Sequence, residues 1–350
     1  MSQRLHKVHP LAFECQGCDS FECTDNWTLE GISIDKERAL PWLKSHGLVW
    51  SKVTCALASK HEEDVVCILK RNRSASNATY LSWVCPSCHA QYFEHGPLLT
   101  KDGQKSPSQV ISLIYYFVST IPPLFIQKET LFTYVTIRSF RKKIDRMVSW
   151  AHQLRFNNAE ATAKWLQKDE TFFSHVKRGG CHKAKRVRAG GVTKIHTLVI
   201  TNAMQTAKEV FMLPVMDLKA STLNPHVRHL CKDANTRVRT DGAKSNYDLG
   251  GDFIWEPCDH KWHWVAPEGH SLAGNHTQTV ESMHSHVKKN LQKMGGYLGK
   301  NDLDRSQRIQ FLAEVVNGSL VFCHSTKLRR IFQDLRMYAQ VCFVEDNDEA

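Results

Sequence analysis

The fold of this chain is decided by the stretch Asn275-His-Thr-Gln-Thr-Val-Glu281-Ser-Met-His-Ser-His-Val-Lys288-Lys289-Asn290-Leu291, which predicts a loop running into a polar helix. Residues three, four and seven apart share a helix face, so the Glu281 carboxylate has three polar neighbours on its side: His284, Ser285 and Lys288. Such a face lies in water or meets something charged, and a metal ion with nucleic-acid phosphate suits this set. An ordinary solvated surface helix is the alternative.

Two further acidic residues lie upstream in strand-like segments. Val238-Arg-Thr-Asp241-Gly242 is typical of a strand end, with an aspartate at the strand-to-turn junction. The run Trp165-Leu-Gln-Lys-Asp169-Glu170-Thr171-Phe172-Phe173 offers an acidic residue in an aromatic, strand-like context. Carboxylates on three separate elements can therefore converge: Asp169, Asp241 and Glu281.

Three sequence blocks resemble the acidic blocks of Merlin-type transposases, eukaryotic DNA-transposon enzymes related to a group of bacterial insertion-sequence transposases. The blocks are Asp169-Glu-Thr-Phe-Phe, then Thr240-Asp241-Gly with Tyr247 following, and His276-Thr-Gln-Thr-Val-Glu281 with Lys288 after it. The resemblance extends from roughly Cys55 to Phe322, and the third block is the most specific. One departure is Lys168, which directly precedes Asp169 where the family's first aspartate usually ends a hydrophobic strand.

The resemblance implies an α/β fold whose catalytic domain is RNase H-like, a mixed sheet flanked by helices. A zinc-ribbon-like module and a small helical domain of helix-turn-helix type would precede it. The expected organisation is a Cys-containing module at 1–50, the zinc-ribbon-like module at 51–97, the helical DNA-binding-like region at 108–155, the catalytic domain at 160–325 and a C-terminal tail at 326–350.

The resemblance also implies an enzyme, a DDE transposase that cleaves DNA at transposon ends and transfers the freed strand into target DNA. Its partners would be double-stranded DNA and further copies of the same chain, assembled on DNA in the nucleus. Two alternatives stay open: a domesticated or degenerate transposase-derived protein that binds DNA without catalysis, and a structure-specific nuclease of the same fold. Lys168 and an incomplete cysteine set favour the first alternative, and the three acidic positions favour the enzyme.

We expect the three carboxylates to bind Mg²⁺ or Mn²⁺. Asp169 and Asp241, side by side at strand ends, would hold one ion between them, and Glu281 would complete a second. Mg²⁺ is a hard ion that binds oxygen, and two adjacent ions stabilise both the attacking and the leaving oxygen of a phosphoryl displacement. Lys288 and Lys289 are placed to hold the phosphates of the strand.

The charge balance and one glycine-flanked loop indicate a polyanionic partner. The chain has 46 Lys and Arg residues against 35 Asp and Glu residues, a net charge of +11, and basic residues that neutralise phosphates release condensed counterions. The loop between Gly179 and Gly191 carries four basic residues that we expect to contact DNA: Lys183, Lys185, Arg186 and Arg188. A nuclear import signal and a solvated hairpin tip are the alternatives.

The cysteines indicate a zinc site. The chain has 12 of them, and it shows neither a signal sequence nor an apolar run long enough to span a bilayer, so a soluble, intracellular protein with reduced thiols is expected. Cys85-Pro-Ser-Cys88 has the form of a zinc knuckle. Cys55 is a third candidate ligand, and the fourth would come from Cys67, His61 or the Cys15/Cys18 pair. Turn cysteines that simply stay reduced are the alternative.

Hydrophobic patterning outlines the remaining elements. It predicts a buried helix over 110–118, a second helix over 128–140 that feeds the basic run 141–150, and consecutive strands over 195–200 and 210–215. Short helices ending in basic residues resemble a helix-turn-helix, with a solvated helical connector as the alternative. A helix over 221–230 and the strand ending at Asp241 follow in βαβ order, and a helical region over 303–322 closes the domain.

Overall fold

The structure is a computed structural model that describes residues 36–45, 48, 55, 61, 65–73, 79–93, 106–130, 132–159, 165–174, 194–202, 209–258, 278–294, 301–319 and 324–341. Contacts divide the chain into two compact units, Met1–Tyr115 with Phe332–Ala350, and Tyr116–Ile331. Within the described ranges, no helix combines the length and the apolar character that crossing a membrane requires.

The first unit contains a short helix and a small antiparallel sheet. Helix α1 spans Lys36–Ser45. The sheet has the order β1-β2-β3, formed by β1 (Ile68–Arg73), β2 (Thr79–Val84) and β3 (Gln91–Phe93). A small buried cluster in this unit consists of Cys55, Cys67 and Cys85. Because so small a sheet buries little apolar surface, a bound metal is a physically reasonable source of its stability.

Helices α2 (Pro107–Val118), α3 (Pro123–Thr130) and α4 (Tyr134–Asn158) precede the larger sheet. The buried helix predicted over 110–118 is confirmed. The continuous helix predicted over 128–140 is wrong, because the chain breaks between α3 and α4. Thr133 ends that break: its hydroxyl accepts the Thr136 N–H at 3.1 Å and caps α4.

The basic run 141–150 lies inside α4, on a helix that contributes to the core. Arg141 is 5% exposed, and its guanidinium lies 4.7 Å from the Phe117 ring centre and 4.3 Å from that of Phe311. Asp145, one turn later, pairs with it at 3.0 Å. This face of α4 is therefore interior, and the helix-turn-helix interpretation stays a prediction.

The second unit is built on a five-stranded mixed sheet in the order β6-β5-β4-β7-β8. Its strands are β4 (Trp165–Ser174), β5 (Lys194–Asn202), β6 (Glu209–Val215), β7 (Arg237–Asp241) and β8 (Ile254–Cys258). The neighbours β6, β5 and β4 are antiparallel, whereas β7 and β8 run parallel to β4. The predicted strands are confirmed, and a mixed sheet of this kind is compatible with an RNase H-like domain.

Helices cover both faces of this sheet. Alternation along β4 places Leu166, Lys168 and Glu170 on one face and Gln167, Asp169 and Thr171 on the other. On the first face, α5 (Ala220–Leu230) and the 3₁₀ helix Lys244–Gly251 pack over an apolar core. On the second face lie α6 (Gln278–Lys293) and α7 (Asp302–Ser319). Both acidic strand ends and the helix carrying Glu281 thus belong to one layered domain.

The segment predicted as a C-terminal tail, 326–350, is helical as far as Val341. Helix α8 spans His324–Val341. It buries Ile331, Leu335 and Tyr338 at helical spacing, and this apolar stripe is the reason for the helix.

Candidate active site and metal centre

Asp169 and Asp241 lie side by side because of the register between β4 and β7. The two strands run parallel, with Trp165 opposite Arg237 and Gln167 opposite Arg239. Two residues further along each strand, on the same face, are the two aspartates. Together with Glu170, they place carboxylate oxygens within 4.8 Å of one another. This separation allows a shared cation.

Helix α6 lies along β4 with matched spacing. Four helical residues rise about 6 Å and two strand residues about 6.6 Å, so every fourth residue of the helix meets every second residue of the strand. Three contacts follow this spacing: the Val280 N–H donates to the Gln167 side chain at 3.4 Å, His284 Nδ1 lies 3.5 Å from an Asp169 oxygen, and Lys288 Nζ donates to the Thr171 hydroxyl at 2.7 Å. Two residues of the predicted polar face, His284 and Lys288, therefore contact the sheet, whereas Ser285 is exposed.

Glu281 lies at the edge of the same site. It is in the first turn of α6, one residue after the backbone contact with Gln167. Among the described carboxylates it is outside the 4.8 Å group, yet its charge helps to raise the pKa of Asp169. The structure thus brings Asp169 and Asp241 together and leaves Glu281 as a near neighbour.

The site concentrates negative charge in a largely buried place. Burial raises the pKa of Asp169 to about 7; a hydrogen bond from the Glu170 N–H opposes this, and the charges of Asp241, Glu170 and Glu281 reinforce it. A divalent cation would reverse this shift, because it favours the ionised form of each carboxylate.

His284 lies next to the Asp169 carboxyl group and is a neutral imidazole. Burial, together with the charge of Lys288, lowers the pKa of His284 to about 4. The side chain is 7% exposed, and its Nε2 atom has no hydrogen-bond partner among the residues that the structure describes. The ring therefore shields one side of Asp169 from water.

Asp241 is fixed by the turn that follows it. Its Oδ1 accepts hydrogen bonds from the Ala243 N–H at 3.2 Å and from Asn246 Nδ2 at 2.8 Å. The Thr240 hydroxyl donates to the Asp241 carbonyl at 2.6 Å and accepts the Trp255 indole N–H at 2.9 Å. The strand end and the 3₁₀ helix together set the direction of this carboxylate.

Lys168 and Asn246 belong to the same network, although no role at the site was predicted for either of them. Lys168 is 0% exposed, on the face of β4 opposite to Asp169. Its ammonium donates to the Asn246 side-chain oxygen and lies 2.6 Å from a Glu170 oxygen. A signal was present, because a lysine in the middle of a strand that begins with Trp165 and Leu166 is expected to be buried and must find partners within the protein. These two partners explain how the strand accommodates a buried lysine at position 168.

Of the predicted DNA contacts, the lysines of α6 fall in the described part of the chain. Lys289 is exposed, whereas Lys288 packs on β4, with Nζ 5.7 Å and 5.8 Å from the ring centres of Phe172 and Phe173. The loop residues Lys183, Lys185, Arg186 and Arg188 lie outside the described residues. Their contact with DNA stays a prediction.

A second cluster, in the first unit, has the chemistry of a zinc site. Cys55, His61, Cys85 and Cys88 each place one ligand atom within 4.8 Å of the others. The Cys55 and Cys88 sulfurs are 3.5 Å apart, and His61 Nε2 is 3.3 Å from Cys55 and 3.5 Å from Cys85. Ligand atoms around a tetrahedral zinc ion stand about 3.5–3.8 Å apart, so three thiolates and one imidazole fit that ion. The Cys15/Cys18 pair lies outside the described residues.

The thiols of this cluster differ in how readily they ionise. Burial acts to raise the pKa of Cys85, but hydrogen bonds from the Cys88 and Ser87 backbone outweigh it and lower this pKa to about 7. Burial raises the pKa of Cys67 to about 12, with the charges of Cys55, Cys85 and Cys88 acting in the same direction. The geometry selects the fourth ligand: His61 belongs to the set of ligand atoms within 4.8 Å of one another and Cys67 does not, so His61 is the better fourth ligand.

Comparisons with known proteins add little to this geometry. No protein-family model matches the sequence, and no curated protein is significantly similar to it. Among solved structures, the crystal structure of a pre-cleavage Mos1 transpososome matches 55% of this chain and 71% of that chain, at 15% identity and a TM-score of 0.18. A similarity this weak supports no conclusion about either fold or function.

Proposed function

We propose that this protein is a DNA transposase of the DDE type, which cleaves DNA at transposon ends and joins the freed end to target DNA. One observation carries the proposal: the parallel register of β4 and β7 sets Asp169 beside Asp241 on the sheet face covered by α6, the helix of Glu281. The resemblance of the same three segments to the acidic blocks of Merlin-type transposases supports it from the sequence.

Asp169 and Asp241 would hold one Mg²⁺ or Mn²⁺ ion, and Glu281 would complete a second. Clustered carboxylate oxygens are the ligands that such hard cations prefer. Bound there, the ions would supply charge stabilisation for the attacking and leaving oxygens of a phosphodiester. Water would first attack a phosphodiester at the transposon end: a P–O bond to water forms as the bond from phosphorus to the 3′-oxygen breaks, which releases a 3′-hydroxyl and leaves a 5′-phosphate. That hydroxyl then attacks a target phosphodiester, forming one P–O bond while another breaks, and its proton passes to solvent.

The protein's own side chains orient these groups. His284 limits water on one side of Asp169. The hydrogen bond from Lys288 to Thr171 anchors α6 to β4 and so keeps Glu281 at the edge of the site. Lys289, exposed on the same helix, is available to a phosphate of the DNA strand.

Double-stranded DNA is the partner that we propose, bound by a homo-oligomer in the nucleus. The net charge of +11 supports a polyanionic partner. The basic residues between Gly179 and Gly191 would add to the phosphate contacts. The first unit, with zinc held by Cys55, His61, Cys85 and Cys88, would contact or position DNA.

The proposal is tested with Asp241→Asn and Glu281→Gln proteins in an assay of cleavage and strand transfer on labelled transposon-end DNA. We expect each change to lower the Mg²⁺-dependent rate at least about a hundredfold, because removing a carboxylate charge removes an ion ligand. Asp248→Asn, an exposed change in the neighbouring 3₁₀ helix, is the matched control and should keep full activity. Unchanged rates in the first two variants would overturn the assignment.

The same assay separates the alternatives. Metal-dependent nicking without joining would indicate a structure-specific nuclease with this site. DNA binding without any metal-dependent chemistry in the unchanged protein would indicate a domesticated protein that only binds DNA.

A further inference from the structure

Lys168 is a buried cation that solvent cannot reach. Its side chain is 0% exposed and belongs to the sheet face turned away from Asp169. The partners of its ammonium are Asn246 and Glu170. An ammonium taken out of water is destabilising unless its hydrogen bonds are made, so these two partners define where Nζ must lie.

The lysine also decides which way the Asn246 amide points. An ammonium has three donors and no acceptor, so Asn246 must present its oxygen to Lys168 and its NH₂ group to Asp241. That NH₂ group reaches Asp241 Oδ1 at 2.8 Å and the Asp241 carbonyl at 3.4 Å. Without the lysine, the amide could rotate by half a turn and present its oxygen to the carboxylate, which would repel it.

We propose that Lys168 is a positioning residue for the metal site: through Asn246 it holds Asp241 Oδ1 and leaves Oδ2 for a divalent ion. Both hydrogen bonds described above that the Asp241 carboxylate accepts go to Oδ1, which agrees with Oδ2 being the oxygen that binds the ion. The inference rests on the proposed function, because it presupposes that Asp169 and Asp241 bind such an ion. Outer partners of a ligand typically change metal affinity by about 10- to 100-fold when they are removed.

The test compares Mn²⁺ binding by the full chain in the unchanged protein and in Lys168→Met. Electron paramagnetic resonance of the free ion measures how much Mn²⁺ is bound. The methionine keeps the apolar stem and removes the ammonium. We expect the dissociation constant for Mn²⁺ to rise about tenfold or more. Simple electrostatics predicts the opposite sign, because removing a positive charge near a cation site strengthens cation binding. Equal or tighter binding in Lys168→Met would therefore overturn the inference.

A double-mutant cycle with Asn246→Ala shows whether the lysine acts through the amide. If it does, the double variant should bind Mn²⁺ no more weakly than Asn246→Ala alone, because the two changes interrupt one connection. Fully additive losses would contradict that route. Asn317→Ala is the matched control: Asn317 is 6% exposed and bonds the Val210 backbone at 2.9 Å and 3.0 Å, so its loss should destabilise the fold and leave Mn²⁺ affinity unchanged.

Folding failure and failure of the proposed function have separate signatures. Thermal unfolding of Lys168→Met and Asn317→Ala shows whether a loss of stability alone weakens Mn²⁺ binding. At temperatures where both variants are folded, Lys168→Met should bind Mn²⁺ more weakly than Asn317→Ala, and equal affinities would overturn the inference. If Asp241→Asn binds Mn²⁺ as the unchanged protein does, the proposed metal site is wrong and the inference falls with it.

Discussion

At the scale of single residues, the burial of the Asp169 carboxyl group destabilises the fold near neutral pH. Asp169 is held in a largely buried position beside Asp241 and Glu170, and burial raises its pKa to about 7. At pH values between the ordinary pKa of an aspartate and this raised pKa, Asp169 is ionised in the unfolded chain and still protonated in the folded chain. Raising the pH therefore favours unfolding through this group, and its destabilising effect is complete above about pH 7.

Asp169→Asn should accordingly stabilise the protein in buffer free of Mg²⁺ and Mn²⁺. The change removes a charge that burial disfavours, and about 1 kcal/mol shifts Tm by about 2–4 °C in a domain of this size, so we expect Tm at pH 8 to rise by several degrees. The gain should shrink as the pH falls towards 5. Thermal unfolding followed by circular dichroism measures it, with Asp248→Asn as the control that shows neither the gain nor its pH dependence.

At the scale of elements, the strands and helices that depend on short-range sequence patterns could be predicted. The aromatic, strand-like run and the strand-to-turn junction identified β4 and β7 with their aspartates, and helical spacing put His284 and Lys288 on one face of α6. The break at Thr133 was missed, because a cap depends on a single hydroxyl within a continuous helical pattern. The role of Lys168 was also missed, since its partner Asn246 is 78 positions away in the chain and no local pattern connects them.

The candidate zinc ligands of the first unit show the same limit. The Cys85/Cys88 knuckle and Cys55 could be predicted from the sequence, but the choice of a fourth ligand among His61, Cys67 and the Cys15/Cys18 pair depended on how the chain folds around them. His61 and Cys67 both lie near the knuckle. The geometry favours His61, whose Nε2 contacts two of the sulfurs.

His61→Ala should therefore lose zinc, whereas Cys67→Ala should keep it. We expect about one zinc per chain in the unchanged protein by mass spectrometry of metals, and clearly less after dialysis of His61→Ala, because three ligands hold the ion less tightly than four. Cobalt substitution gives a second reading, since visible absorption bands report tetrahedral thiolate ligation. The reverse result, zinc lost from Cys67→Ala and retained in His61→Ala, would show that Cys67 and not His61 is the fourth ligand.

At the scale of the whole second unit, a buried ion network connects the helices to the sheet. Glu314 of α7 is 0% exposed and pairs with Arg155 of α4 at 2.7 Å and with Arg330 of α8 at 2.8 Å. Its other oxygen accepts the Nδ1–H of His152, whose Nε2 accepts the Met212 N–H of β6 at 3.2 Å. One carboxylate thus connects three helices and an edge strand, and this framework supports the sheet that carries the acidic site.

Glu314→Gln should lower the free energy of unfolding at neutral pH and make that free energy depend less on pH in acid. Burial acts to raise the pKa of Glu314, but Arg155, Arg330 and His152 outweigh it and hold this pKa well below the usual value. A depressed pKa contributes stability above the unfolded value, near 4.5, and that contribution is lost as the pH falls towards the folded value. The glutamine leaves two arginines without a counter-charge, at a cost of about 3–5 kcal/mol at pH 7. Urea unfolding between pH 7 and pH 3 should show the difference from the unchanged protein narrowing in acid, while Glu129→Gln, an exposed change on α3, follows the unchanged protein throughout. A difference that stays constant across this range would show that the network acts through packing and not through charge.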